Sequence, residues 1–227
     1  MAEPTSIPVI AIDGPSGSGK GAVAAEIARR LGFHYLDSGA LYRILGLAAL
    51  QSATDLDDVA AIRELAATMR IVFGESGPES VRLNGEEIST AIRTERVGEM
   101  ASRIGAISAA REALHQRQLK FRQPPGLVAD GRDMGTVVFP DAVLKIFLTA
   151  SVDERALRRH KQLIGKGIGA ILPDLLRDLK LRDERDTQRS VSPLKPAEDA
   201  LVLDTTSMSL EAVLEWVMLR VRERLPA

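Results

Sequence analysis

The chain has 227 residues, of which 45% are hydrophobic and 27% charged, so it is long enough for one α/β domain with an insertion and apolar enough for a packed core. Thirty basic residues against 31 acidic ones leave a net charge of −1, which excludes a uniformly basic nucleic-acid-coating protein and gives no support to an acidic disordered tail. The absence of cysteine excludes a disulfide scaffold, a thiolate zinc site and a cysteine nucleophile, and it fits a reducing cytosol.

The N-terminal segment MAEPTSIPVIAID has neither the basic start nor the long apolar centre of a signal peptide. No stretch of the sequence approaches the ~20 apolar residues that a membrane-spanning helix needs. We therefore expect a cytoplasmic protein that binds neither a membrane nor nucleic acid.

The first third of the sequence alternates strand and helix patterns. Strands are predicted at 9–12 and 33–36, and a helix is predicted from near Lys20 to a C-terminal cap at Gly32. Two more helices are predicted at about 40–50 and 57–69.

The middle of the sequence changes character. Short strand patterns at 70–73, 80–83 and 86–88 are separated by a GESGP turn and by Asn84-Gly85, a strong hairpin signal. Strands this close predict a small antiparallel insert. Two helices are predicted after it, at about 95–107 and 109–122, the second ended by PPG.

The last third returns to alternating strands and helices. The predicted elements are strands at 127–129, 143–148 and 201–203 and helices starting at the SVDE segment, at Pro173 and at Leu210. This alternation predicts an α/β fold with a parallel sheet flanked by helices.

A glycine-rich segment, GPSGSGK at residues 14–20, lies between the first predicted strand and the first predicted helix. Its glycines let backbone N–H groups turn inward on an anion, the helix N-terminus adds positive charge, and Lys20 can reach the outer phosphates. The segment predicts a bound nucleoside triphosphate. We call residues 14–20 the phosphate loop, and we expect Lys20 to lie in solvent rather than in the core.

The phosphate loop departs from its usual form directly after Lys20. The residue that normally gives a Ser or Thr hydroxyl to Mg²⁺ is Gly21, and the next residue is Ala22. No direct protein ligand is therefore predicted for the metal, which would be held through water and phosphate oxygens. A carboxylate could assist, with Asp130 the first candidate and Asp13 the second, although either residue could instead form a turn.

A phosphate loop alone does not identify the reaction. A switch GTPase would need an Asn-Lys-x-Asp segment after a strand, which the sequence lacks. A kinase needs further cations that bind the acceptor and offset charge during transfer. Most arginines are solvated surface residues, but Arg132 follows a buried strand in a glycine-flanked loop, where open α/β sheets bind ligands.

Four segments together resemble the bacterial cytidylate kinases, which are nucleoside monophosphate kinases. They are IAIDGPSGSGKG, LDSGALYR, ADGRDMGTVVFPDA and LRDERDTQRSVSPL. The resemblance extends from residue 7 to about residue 204, and GRDMGTVVFPDA is its most specific part. It implies a P-loop NTPase-type sheet with an antiparallel insert in the monophosphate-binding region and a short lid, and the ATP-dependent phosphorylation of CMP and dCMP in pyrimidine nucleotide metabolism.

The resemblance also implies a role for individual residues. Those that would bind ATP are Gly14, Pro15, Ser16, Gly17, Ser18, Gly19, Lys20, Gly21 and Ala22. Those that would act in catalysis are Lys20, Arg132 and Arg182, and those of the lid are Arg155, Arg158 and Arg159. Those that would bind the acceptor are Ser38, Tyr42, Arg43, Ser102, Arg111, Asp130, Arg132, Asp133, Arg182, Asp186 and Arg189.

Within the acceptor site, the resemblance assigns the phosphate to Arg43 and Arg132. Cytosine would be read by Ser102, Arg111 and Asp133, with Arg189 nearby, and the pentose would meet Arg182 and Asp186. Family members usually have Ser or Thr where this chain has Ala22, so one hydroxyl near the α-phosphate or the metal is missing.

The implied organisation is one kinase domain over 1–227, with its core at about 7–50 and 95–227, the monophosphate-binding insert at about 55–94 and the lid at about 155–172. A monomer that uses Mg²⁺ with ATP is expected. Two alternatives stay open: a kinase for UMP or another small acceptor such as shikimate, and a binding protein without enzymatic activity that uses ATP as a switch.

Overall fold

The computed structural model describes residues 7–75, 80–165, 167 and 169–225. The strands in chain order are β1 (Val9–Asp13), β2 (His34–Asp37), β3 (Ile71–Phe73), β4 (Val81–Leu83), β5 (Glu86–Glu87), β6 (Leu127–Gly131), β7 (Leu144–Thr149) and β8 (Leu201–Asp204). The helices are α1 (Lys20–Leu31), α2 (Ser38–Gln51), α3 (Val59–Thr68), α4 (Glu95–Ile104), α5 (Ser108–Leu119), α6 (Val152–Gly165), α7 (Leu172–Gln188) and α8 (Leu210–Arg224). A 3₁₀ turn at Ala91–Arg93 and a π-helical turn at Met134–Val138 complete the set.

The chain divides into two compact units. The first unit consists of Met1–Asp37 together with Gln118–Ala227, and the second unit is the contiguous segment Ser38–Arg117.

The first unit is built on a five-stranded sheet in the order β2-β6-β1-β7-β8, in which every neighbouring pair is parallel. The predicted α/β class with a parallel sheet is therefore confirmed. The central strands β1 and β6 are buried along their whole length, as expected for a parallel sheet that helices cover.

One face of this sheet packs against α1 and α8. Alternate residues such as Ile10, Ile12 and Val128 point to that face and form a core cluster with Ile27 of α1 and Val217 of α8. Helix α1 ends at Gly32, which adopts a left-handed conformation (φ 66°) and caps the helix as predicted. The core therefore fixes the N-terminus of α1 beside the carboxyl ends of β1 and β6.

The second unit contains α2, α3 and α4 and the three-stranded sheet β3-β4-β5, whose neighbouring strands are antiparallel. Asn84 (φ 54°) and Gly85 (φ 93°) form the turn between β4 and β5, with the two positive φ values of a type I′ hairpin. The predicted antiparallel insert is thereby confirmed.

The structure changes some predicted boundaries. Helix α4 ends at Ile104 rather than at residue 107, because the N–H groups of Ala106 and Ile107 bond to carbonyls three residues back rather than four. Helix α5 ends at Leu119 rather than at residue 122. Some predicted features lie outside the described residues: part of the GESGP turn (76–78), the first six residues, and residues 166 and 168 of the predicted lid. In the part of the chain described, no helix combines the length and apolar character needed to cross a membrane.

Candidate active site

The phosphate loop connects β1 to α1, in the strand–loop–helix arrangement that the sequence predicts. Its three glycines, Gly14, Gly17 and Gly19, have φ values of 152°, 80° and 90°, a region that side chains disfavour. A Cβ atom on Gly14 would lie 2.0 Å from the Leu148 carbonyl oxygen. Glycine is therefore required here both for the turn and for the close approach of β7.

Lys20 is the first residue of α1, and its position corrects one expectation. It is only 8% exposed rather than solvated, and its Nζ donates to the Pro15 carbonyl at 3.2 Å within the phosphate loop. Burial, and next the positive charge of Arg132, lower the pKa of Lys20 to about 7. Burial and the neighbouring arginine therefore disfavour the ammonium form, which bound phosphates would stabilise.

The lowered pKa predicts that ATP binding weakens as pH rises above 7. Only the protonated amine attracts phosphate, so binding raises the Lys20 pKa and takes up a proton on the alkaline side of about pH 7. We expect the Kd for ATP to rise by up to ~10-fold per pH unit between pH 7.5 and 9. Calorimetry in two buffers of different ionisation enthalpy measures the proton uptake; a Kd that is constant with pH and no uptake would contradict this role for Lys20.

Asp130, near the carboxyl end of β6, is the first candidate for a carboxylate that supports the metal ion. It is 4% exposed, and its Oδ1 accepts a hydrogen bond of 2.8 Å from the Tyr35 hydroxyl. Burial raises its pKa to about 7, the neighbouring Asp37 adds to the rise, and Lys20 opposes it. A dication held nearby would stabilise the ionised form, so Asp130 is suited to supporting a metal through its water shell.

Asp13, the second metal candidate, has a structural role. Its two carboxylate oxygens accept hydrogen bonds from the backbone N–H groups of Met134 (2.9 Å) and Gly135 (2.8 Å). Burial raises its pKa to about 6. Asp13 thus fixes the start of the π-helical turn that follows β6.

Cations converge on the phosphate loop from two other elements of the first unit. Arg132 follows β6 and Arg182 lies on α7, and both are near enough to lower the pKa of Lys20. Arg132 Nε donates to Asp186 Oδ2 at 3.0 Å, and Asp186 is buried. Three residues predicted to be catalytic are therefore brought together, and Asp186 orients one of them.

Two arginines of α6 bind the backbone of the phosphate loop. Arg155 is 4% exposed and donates to the Ser16 carbonyl (3.0 Å) and to the Asp183 carboxylate. Arg158 donates to the Ser18 carbonyl (3.3 Å) and to Thr205, which follows β8. The base of the predicted lid is therefore anchored on the loop.

The remaining lid arginine and two predicted acceptor residues have other surroundings. Arg159 donates to Gln162 on its own helix at 2.7 Å, and Arg189 Nε donates to the Ser192 carbonyl at 2.6 Å. Asp133 is buried directly before the π-helical turn, where it raises the pKa of Asp13. Of these, Asp133 directly follows Arg132, just after the carboxyl end of β6.

The other predicted acceptor residues lie in the second unit. Ser38 and Tyr42 are buried on α2, and Ser102 is buried on α4. The Arg111 guanidinium lies 5.7 Å from the centre of the Tyr42 ring and donates to the Gly105 carbonyl at 3.3 Å. Arg43 donates to the Ile92 carbonyl at 2.9 Å.

Ala22 is exposed in the first turn of α1, which predicts the effect of restoring the missing hydroxyl. We expect Ala22→Thr to fold and to lower the KM for Mg·ATP by a few fold, at a helix-propensity cost of no more than ~0.7 kcal/mol. Melting curves and steady-state kinetics measure both effects. Ala22→Val, which has the shape but no hydroxyl, should leave KM unchanged; an unfolded or inactive threonine variant would show that the site does not tolerate the side chain.

Four residues near the loop were not predicted from the sequence: Tyr35, Asp37, Asp183 and Thr205. Tyr35 carried a usable signal, because it precedes Asp37 by two positions on a strand and so shares its face. Asp183 and Thr205 carried none, since their contacts join α7 and the segment after β8 to distant parts of the chain. Among the described residues, no group of three or more acidic or histidine side chains could by itself hold a metal ion.

The parallel sheet, the glycine-rich loop at the carboxyl end of its central strand and the buried lysine define a P-loop nucleotide-binding protein of the α/β class. The sequence model of the cytidylate kinase family matches residues 10–223. The chain belongs to the cytidylate kinase family.

Relatives with that name span almost the whole chain. The cytidylate kinase of Pseudomonas paraeruginosa is 56% identical over 216 residues, covering 94% of both chains. That of Cupriavidus necator is 56% identical over 216 residues, covering 93% of this chain and 96% of its own. A crystal structure of a protein from Eubacterium ventriosum matches with a TM-score of 0.45 at 14% identity, over 96% of this chain and 99% of the other, a likeness too slight to carry an argument.

Proposed function

We propose that the chain catalyses ATP + (d)CMP = ADP + (d)CDP. The observation that carries this proposal beyond family membership is the cation cluster of Lys20, Arg132 and Arg182, in which each guanidinium lowers the pKa of the lysine. Gathering three cations has an electrostatic cost that carboxylates such as Asp130 and Asp186 offset in part, and two nucleotides that exchange a phosphoryl group would offset it further.

ATP is held by residues 14–22. The backbone N–H groups of the phosphate loop and the N-terminus of α1 surround the phosphates, and Lys20 contacts the outer ones. Because Arg155 and Arg158 hold the carbonyls of Ser16 and Ser18, those carbonyls are turned away from the anion and the N–H groups remain available.

The acceptor is held by a larger set of cationic and polar residues. Arg43 and Arg132 bind its phosphate, and Arg182 and Asp186 meet the pentose. Residues Ser102, Arg111 and Asp133 read the cytosine, with Arg189 nearby, and Ser38, Tyr42 and Asp130 complete the set. The burial of Ser102, Arg111 and Asp133 supports these roles, because hydrogen-bonding sites that exclude water discriminate strongly between ligands.

Transfer in line between two phosphates gathers several negative charges. Fixed guanidinium groups and the Lys20 ammonium stabilise that charge in place of water, and no protein nucleophile is required. A lid at about 155–172 would exclude water and so suppress ATP hydrolysis. Since Arg155 and Arg158 are bound to the phosphate loop, we place the moving part of the lid beyond them along α6.

The residues present fit the Mg²⁺ that accompanies ATP. The buried Asp130, with Asp37 beside it on β2, supplies carboxylate oxygens of the kind that the ion prefers. When bound, the ion would neutralise phosphate charge, and the chain would hold it through water rather than through direct ligands.

A coupled ADP-release assay over CMP, dCMP, UMP and shikimate tests the proposal. We expect CMP and dCMP to raise the rate of ADP release far above the rate without an acceptor. Tight ATP binding without acceptor-stimulated turnover would favour an ATP-switched binding protein, and turnover on UMP or shikimate alone would favour a different kinase.

We further propose that one chain is the working unit, acting as a single kinase domain in the cytoplasm with ATP, CMP and dCMP as its partners. The absence of cysteine supports a reducing compartment. Sedimentation of the purified protein with and without both nucleotides tests the monomer.

A further inference from the structure

Tyr35 forms a contact that no part of the proposed reaction has used. Its hydroxyl donates to Asp130 Oδ1 at 2.8 Å. The β2–β6 register pairs Tyr35 with Val128 and Asp37 with Asp130, so Tyr35, Asp37 and Asp130 share the face that packs against α1. The tyrosine therefore reaches along the sheet toward the phosphate loop.

The same hydroxyl borders the position of the missing P-loop hydroxyl. A Cβ atom on Gly21 would lie 3.7 Å from the Tyr35 hydroxyl and 3.8 Å from Asp130 Oδ2. P-loops commonly carry a Ser or Thr at that residue, with its hydroxyl on Mg²⁺. In this chain the space beside Gly21 is bordered by a hydroxyl from β2 and a carboxylate oxygen from β6.

We propose that Tyr35 is a positioning residue for Mg·ATP, holding Asp130 so that Oδ2 faces Gly21 and supports the ion through its water shell. The inference rests on the proposed function. A carboxylate that is bound at one oxygen keeps a fixed orientation at the other, and such supporting contacts commonly change metal affinity 10–100-fold. Tyr35 thereby supplies from the neighbouring strand part of what Gly21 and Ala22 lack.

The competing explanation is that Tyr35 only fills space, since its ring packs against the α1 core. Tyr35→Phe separates the two explanations, because phenylalanine keeps the ring and removes only the hydroxyl. Gly21→Ser added to Tyr35→Phe supplies a hydroxyl directly beside Asp130. A serine fits there, since its Cβ would meet both neighbours at ordinary contact distance.

The experiment is calorimetric binding of a non-hydrolysable ATP analogue, with EDTA and with saturating Mg²⁺, to the wild type, Tyr35→Phe and the double variant. With EDTA, we expect the wild type and Tyr35→Phe to bind within about twofold of each other, and the double variant is compared with its own affinity in EDTA. The gain in affinity on adding Mg²⁺ should fall by ~10-fold in Tyr35→Phe and should largely return in the double variant. Melting curves of all three proteins check that the fold is kept.

An unchanged Mg²⁺ gain in Tyr35→Phe would overturn the inference. A loss of affinity that is equal with EDTA and with Mg²⁺ would also overturn it, because the ring would then shape the loop rather than support the ion. Failure of the proposed function looks different: the wild type would show the Mg²⁺ gain but no ADP release stimulated by CMP.

Discussion

Replacing Lys20 with methionine should abolish phosphoryl transfer while leaving the chain folded. The ammonium is the one cation inside the phosphate loop itself among the described residues, and a cation that stabilises the transition state of phosphoryl transfer can contribute ~10³–10⁵-fold to kcat. The fold should survive because Lys20 is buried with its pKa lowered to about 7, so an apolar side chain of similar length removes a desolvation cost.

The measurement is kcat for ADP release with CMP, together with circular dichroism and a melting curve. Arg29→Met is a matched control, since Arg29 lies on the same helix, is largely exposed and pairs with Glu26. The control should retain wild-type turnover. Wild-type turnover in a folded Lys20→Met protein would instead refute the assignment of the phosphate loop.

The second large effect concerns the choice of base. Cytosine presents an amino donor at N4 and an acceptor at N3, whereas uracil presents an acceptor at O4 and a donor at N3. Under the proposed roles, Asp133 accepts from N4 and Arg111 donates to N3 or O2 of cytosine. Uracil reverses the pair at Asp133, and it also reverses a pair between Arg111 and N3. Sites built on buried hydrogen bonds discriminate strongly, and we expect kcat/KM for CMP to exceed that for UMP by on the order of 10²-fold or more.

Asp133→Ala should lose most activity on CMP and keep its affinity for ATP. Asp133→Asn is the informative companion, because its amide can donate to O4 of uracil, and we expect it to shift the CMP/UMP ratio toward UMP. The measurement is kcat/KM for CMP, dCMP and UMP on the three proteins. Equal use of UMP by the wild type, or full CMP preference in Asp133→Ala, would exclude the proposed base-reading role.

The features predicted well from the sequence are those set by neighbouring residues. The phosphate loop could be predicted from its glycines and Lys20 between a strand and a helix. The β4–β5 hairpin could be predicted from Asn84-Gly85, because few other residue pairs adopt two positive φ values. The family resemblance rests on such local segments.

The features that could not be predicted depend on contacts between distant segments. The lowered pKa of Lys20 depends, beside its burial, on the charges of Arg132 and Arg182 from distant segments, and the capping role of Asp13 depends on amides of Met134 and Gly135. No local pattern encodes which strand lies between β1 and β2, so neither arrangement was accessible from the sequence.

The strand order sets the sequence of events as a new chain leaves the ribosome. β1 pairs with β6 and β7, and β2 pairs with β6, so the first two strands wait until residues 127–131 have been made. At ~5–20 residues per second that wait lasts several seconds, longer than small domains commonly need to fold. The second unit, Ser38–Arg117, is contiguous and is synthesised wholly within this interval. We therefore expect the second unit to fold first, while the apolar β1 stays unpaired and available to chaperones. The sheet that carries the phosphate loop should form only once β6 has been made and inserts between β1 and β2.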